Sequence, residues 1–149
     1  VSHKPYDDFK VGDVVDSLGR TLTETDCVLF TGLAGIKAPI FIDEEFCRTH
    51  SPFKTRIVPG LLTISLAVGQ LEEVLGPYVI AALSLDAIRF VTPLKPGDTI
   101  HTRLSVVDKR DTSDGKRGVL AIHVQIFNQR NEVAVQFDNK LMMRRGRLS

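Results

Sequence analysis

Several things are scarce in this chain, and each scarcity excludes something. Cysteine occurs twice in 149 residues, as Cys27 and Cys47, in no metal-ligand spacing, so neither a disulfide scaffold nor a thiolate metal site is expected. Both read as small buried hydrophobes in a reducing, cytoplasmic setting, with a reactive thiol as the lesser alternative. Net charge is nearly absent: 19 Lys and Arg against 18 Asp and Glu leave a formal +1. That balance argues against a phosphate-backbone partner, so no nucleic acid is expected. The one basic cluster, Arg144, Arg145 and Arg147, reads as a solvated tail over 144–149. No glycine-rich phosphate loop, signal peptide or membrane-spanning run is present, although the start at Val1 rather than Met leaves a trimmed N-terminus open.

What remains is an ordinary globular composition, 43% hydrophobic and 25% charged, enough for one domain with a real core. Its strongest local signal is 59–75, PGLLTISLAVGQLEEVL, closed by Gly76 and Pro77. Pro at the first position and Gly-Pro past the last are helix start and stop signals. Its apolar residues cover more than one stripe, so the helix should be wrapped by the rest of the chain. Gln70, Glu72 and Glu73 near its end, and a length short of the roughly 20 apolar residues a membrane span needs, favour a soluble core.

Residues 1–8 read as a loose arm, followed by a short strand around Val14 and Val15. Thr23 to Asp26 form a capping cluster ahead of a helix that Ala38-Pro39 ends. Asp43 reads as the N-cap of a second short helix, and 50–55, HSPFKT, as a loop leading to the long helix. After Pro77 the period becomes two. Ile100, Thr102, Leu104 and Val106 fall on one face of a strand, and His101, Arg103, Ser105 and Val107 on the other. The Asp-Gly in 111–118 marks a hairpin. An antiparallel meander with one buried face, curled around one long central helix, gives an α+β fold.

At RIVPGLLTISL, 56–66, and IRFVTPLKPGD, 88–98, the chain resembles the MaoC-like branch of the hot-dog fold, which contains the (R)-specific enoyl-CoA hydratases and related dehydratases. The likeness runs over 9–143. It implies an acyl-CoA or acyl-carrier thioester as ligand, no cofactor, and a homodimer or a heteromer of hot-dog subunits. Arg89-Phe90, Pro93 and Gly97-Asp98 match the family's strand-end turn, while Gly60 and Ser65 fall on its helix-opening glycine and following serine. The family's catalytic segment corresponds to 35–43, GIKAPIFID. There the aspartate position is Ile36, the asparagine position Ala38 and the histidine position Phe41, with Asp43 retained; Pro59 replaces the histidine that usually precedes the glycine.

Hydrating an enoyl thioester takes a base for water, an acid for the α-carbon and a donor for the enolate oxygen. Ile36 and Phe41 cannot move a proton, so an acid/base factor of about 10²–10⁴ must be absent or come from elsewhere. The Gly60 amide at a helix N-terminus remains available to hold a carbonyl. His50 is the nearest substitute base, with a capped or solvated loop histidine as its plain alternative. Ser65 reads either as a pocket hydroxyl or as bonded back to its own helix. His101 and His123 should face solvent or a partner. Lys54, Arg56, Arg89 and Lys95 are the cations available to a nucleotide end. Three functions stay open: a hydratase or dehydratase with relocated groups, a binding or partner subunit, and a thioesterase, for which Glu72 or Glu73 would have to turn inward.

Overall fold

The computed structural model describes residues 2–149; Val1, the first residue of the expected arm, lies outside them. A short 3-10 turn, Tyr6–Asp8, opens the fold, followed by two short strands, β1 (Val14–Asp16) and β2 (Arg20–Thr21). Three helices follow, α1 (Glu24–Ala34), α2 (Pro39–Ile42) and α3 (Glu44–His50), then the long α4 (Gly60–Leu75). Four long strands complete the chain: β3 (Val79–Phe90), β4 (Thr99–Asp111), β5 (Arg117–Phe127) and β6 (Val133–Arg144). The antiparallel sheet has the order β1-β4-β5-β6-β3, with β2 also paired to β4, so β3 is an edge.

The local signals act as their chemistry dictates. Thr23 and Asp26 form a reciprocal capping box on α1, and Gly35 ends that helix at φ 67°, where a left-handed residue closes the last turn. Asp43 Oδ1 accepts the Phe46 amide at 2.8 Å and caps α3. α2 goes beyond the sequence reading: Pro39 ends nothing further but opens its own turn at the first helical position, where its missing N–H is no loss. His50 closes α3 rather than starting a loop.

Ile100, Leu104 and Val106 of β4 join Ile122, Val124 and Ile126 of β5 and Phe137 and Leu141 of β6 in the core beneath α4. Alternation thus assigns the buried face correctly. The wrap around α4 is one-sided, however. Leu62, Ile64, Ala67 and Leu71 are buried, whereas Leu61 is 61% and Val68 39% exposed. Gln70 belongs to the core rather than to the polar end of the helix. Its Oε1 accepts the Thr102 hydroxyl at 2.7 Å and its Nε2 donates to Leu18 O at 2.9 Å.

The N-terminal segment expected as loose is pinned. Tyr6 and Phe9 are buried, and the Lys4 amide donates to Val74 O at the end of α4. A Cβ on Gly118 would stand 2.4 Å from the Tyr6 ring, so only glycine lets the ring lie on β5. Two of the tail arginines are engaged as well: Arg145 pairs with Asp7 and Asp111, and Arg147 with Asp8. Arg144 belongs to β6.

Candidate functional site

A cavity of about 620 Å³ opens at the N-terminus of α4. Phe41 of α2 and Phe53, Ile57 and Val58 of the loop before α4 line one side; Phe90 at the end of β3 and Val135 of β6 line the other. The loop is held by two backbone bonds, Ile57 N to Ile40 O at 3.2 Å and Val58 N to Leu94 O at 2.8 Å. Between these walls stand Gly60, Leu61 and Thr63.

α4 begins without a side-chain cap, because its N-cap is the buried Pro59. The first amide bonded to that cap is Thr63, to Pro59 O at 3.2 Å. The amides of Gly60, Leu61 and Leu62 therefore have no intrahelical acceptor, and the positive end of the helix dipole meets the cavity. No lining side chain is titratable. The two hydroxyls present are both engaged with backbone, Thr63 Oγ1 on Pro59 O at 3.5 Å and Thr92 Oγ1 on Val133 O at 2.9 Å. Such a site can hold a carbonyl oxygen or an anionic oxygen beside an apolar chain, and its walls have no side chain to exchange a proton.

Of the residues singled out from the sequence, Phe41, Gly60, Phe90 and Pro93 meet at this cavity, with Pro59 preceding Gly60 as the N-cap of α4. Ile36 is half-buried past the end of α1, its amide on Thr31 O at 3.0 Å, and does not line the cavity. Ala38 is exposed and Asp43 is spent on capping α3. His50 is exposed on α3, its ring stacked on Phe46 at 4.8 Å and its Nδ1 2.7 Å from the Thr49 hydroxyl. Ser65 donates to Leu61 O at 2.9 Å on the open face of α4, beside a separate cavity of about 320 Å³. Cys27 and Cys47 are buried free thiols whose burial pushes their pKa up. Among the described residues, no group of three or more His, Cys, Asp or Glu is placed to hold a metal ion.

Among the candidate cations, Arg56 is occupied. Its Nε donates to Glu44 at 2.8 Å and its Nη1 pairs with Glu24, tying α3 to α1. Together with the Thr55 hydroxyl, Arg56 holds the Glu44 carboxyl down to about 2. Lys54, Arg89 and Lys95 are exposed and form no ion pair among the described residues. His101 stacks on Phe127 at 5.2 Å, and His123 Nδ1 lies 2.8 Å from Asp138 on the outer face of the sheet. Phe53, Ile57 and Leu61 had not been singled out as lining residues. Phe90 had been named only as part of the strand-end turn, and its approach to Gly60 depends on a pairing between β3 and β6 that no local pattern encodes.

A long helix packed on an antiparallel sheet, with an apolar cavity at its uncapped N-terminus, is the architecture of a hot-dog domain. The chain belongs to the family of MaoC-like domains, whose model matches residues 8–125. It is 29% identical over 141 residues to the β-methylmalyl-CoA dehydratase of Chloroflexus aurantiacus, an alignment covering 94% of this chain and 40% of that protein. It is 33% identical over 104 residues to the (R)-specific enoyl-CoA hydratase of Rhodospirillum rubrum, covering 68% of each. The chain thus spans less than half the length of the first of these relatives and about two thirds of the second. Among solved structures, it matches a monoamine oxidase regulatory protein from Archaeoglobus fulgius with a TM-score of 0.88 at 29% identity, covering 97% of both chains. A Mycobacterium tuberculosis protein described as a double hot-dog fold matches with a TM-score of 0.86 at 20% identity, covering 99% of this chain and 47% of that one, which bears on fold alone. No helix among the described residues is long and apolar enough to cross a membrane.

Proposed function

We propose that this chain binds an acyl thioester, carried by CoA or by a carrier protein, and does not hydrate it by the aspartate–histidine route of its family. The observation that supports this is the make-up of the cavity: free helix-terminal amides beside apolar walls, with no titratable lining side chain. The amides of Gly60 and Leu61 would receive the thioester carbonyl, where the helix end favours developing negative charge. Phe41, which the family resemblance puts at the histidine position, lines the cavity and would face the acyl group with a ring that cannot donate a proton. The thioester is the ligand, and no cofactor is invoked.

The open side of the site favours a second hot-dog chain. β3 has an unpaired edge, and Leu61, Val68, Ile80 and Leu83 leave apolar surface on α4 and β3 in water. We therefore assign a homodimer, or a heteromer in which the other subunit carries the acid and base. A reducing, cytoplasmic setting agrees with the two buried thiols. Hydration through His50 and thioester hydrolysis through Glu72 or Glu73 gain no support from the geometry, because none of the three lines the cavity.

The test is the conjugated-thioester absorbance of crotonyl-CoA in the presence of purified protein. The expected trace is flat, while unreactive butyryl-CoA raises the melting temperature. Fast, saturable loss of absorbance, abolished by His50→Ala, refutes the non-catalytic reading. Release of free thiol would favour the hydrolase instead.

A further inference from the structure

Aromatic rings are concentrated at the cavity. Of the eight phenylalanines in the chain, three line it, and they arrive from three separate elements: Phe41 from α2, Phe53 from the loop before α4 and Phe90 from the end of β3. Phe90 borders the residue whose amide would take a carbonyl, since a Cβ on Gly60 would overlap its ring. Phe41 and Phe53 stand on the opposite wall, so a second chain on the β3 edge leaves both in place. No charged or amide side chain lies among the three rings.

The shape of the cavity points the same way as its lining. α4 contributes only Gly60, Leu61 and Thr63, which span little more than its first turn. Further in, Ile64 is 5% exposed and Ala67 and Phe137 are 0% exposed. None of these lines the cavity, so no channel continues along the helix into the core. The volume of about 620 Å³ is therefore gained in breadth between two walls rather than in depth. A linear alkyl chain needs depth; fixed in a broad space, it gives up rotamer freedom and still leaves wall atoms without neighbours. A flat ring is rigid and spans the breadth. It also meets phenylalanine rings edge to face or offset, which adds to what burial alone contributes.

We propose that the acyl group this cavity takes is aromatic: an arylacyl thioester, with its carbonyl on the amides of Gly60 and Leu61 and its ring among Phe41, Phe53 and Phe90. This rests on the thioester-binding reading above and narrows it to one class of acyl group. Phe41 and Phe53 then set the specificity, because they are the rings that meet the acyl ring from the wall facing β3.

Isothermal titration of the full chain with benzoyl-CoA, cyclohexanecarbonyl-CoA and hexanoyl-CoA tests this. All three share the CoA moiety and the thioester; the second has the breadth of the first without its π-face, and the third has neither. Benzoyl-CoA should bind about tenfold more tightly than hexanoyl-CoA, the equivalent of one or two favourable ring pairs, with cyclohexanecarbonyl-CoA between them. Phe53→Leu, at a side chain already 36% exposed, should weaken benzoyl-CoA binding severalfold and leave hexanoyl-CoA binding unchanged. Hexanoyl-CoA or cyclohexanecarbonyl-CoA binding as tightly as benzoyl-CoA overturns the aromatic assignment while thioester binding stands. So does a Phe53→Leu variant that loses affinity for benzoyl-CoA and hexanoyl-CoA alike. If none of the three binds the wild type, the thioester reading itself falls, and the aromatic assignment with it.

Discussion

Replacing Gln70 by Leu isolates what fastens α4, and hence its N-terminus, to the sheet. The side chain is 9% exposed, and it is the acceptor for the hydroxyl of Thr102, itself fully buried. Leu keeps most of the volume but leaves that hydroxyl without a partner, at a cost of about 1–3 kcal/mol. The lost bond to Leu18 O adds less, because Leu18 is 74% exposed and its loop is open to water. Extra apolar burial offsets part of the sum, for a net loss of about 2 kcal/mol. With a urea slope of about 1–3 kcal/mol per molar, the midpoint falls by about 1 M. Adding Thr102→Val removes the orphan and should restore most of that loss, since replacing both partners by apolar groups of like shape is nearly neutral. A neutral Gln70→Leu, or a double variant as unstable as the sum of the two singles, would refute the reasoning.

Two further outcomes follow from the ion pairs and the open edge. Glu44 is held down to about 2 by Arg56 and Thr55 against an ordinary value of 4.5. Its contribution is therefore complete above pH 4.5 and disappears as pH falls through 2. Urea midpoints in that window should fall less steeply in Arg56→Met than in wild type; parallel slopes would count against the pairing. For assembly, gel filtration should give about twice the 16.5 kDa chain mass, and Leu83→Asp on the β3 edge should shift elution toward the monomer. A monomeric wild type would contradict the edge-to-edge assignment.

Much of the architecture is legible without coordinates. The capping box at Thr23, the cap at Asp43 and the Pro59 and Gly76 boundaries are short-range chemistry, in which one residue satisfies the backbone of another three or four positions away. The strand faces are legible for a similar reason: a period of two leaves only one way to bury Ile100, Leu104 and Val106 together. Gly60 could be singled out through its match to the family's helix-opening glycine, and a helix start carries free amides wherever it occurs. The candidate base His50 is a different case, since nearness in sequence to α4 did not bring its ring to the cavity.

The sequence by itself determined that there is one long central helix, a meander to receive it, and apolar residues at 36 and 41 in a frame bounded by Gly35 and Asp43. Only the tertiary structure decided that Gln70 is a core bond rather than a polar helix end, that Arg56 is consumed by Glu24 and Glu44, and that Phe41 reaches the cavity while Ile36 does not. It alone put the Phe90 ring on Gly60. The division follows from range. Caps, turns and alternation are settled within a few residues, whereas the others depend on contacts between separate elements, such as Arg56 with Glu44 at 12 positions and Gln70 with Thr102 at 32, whose register is set by the packing of the sheet against α4.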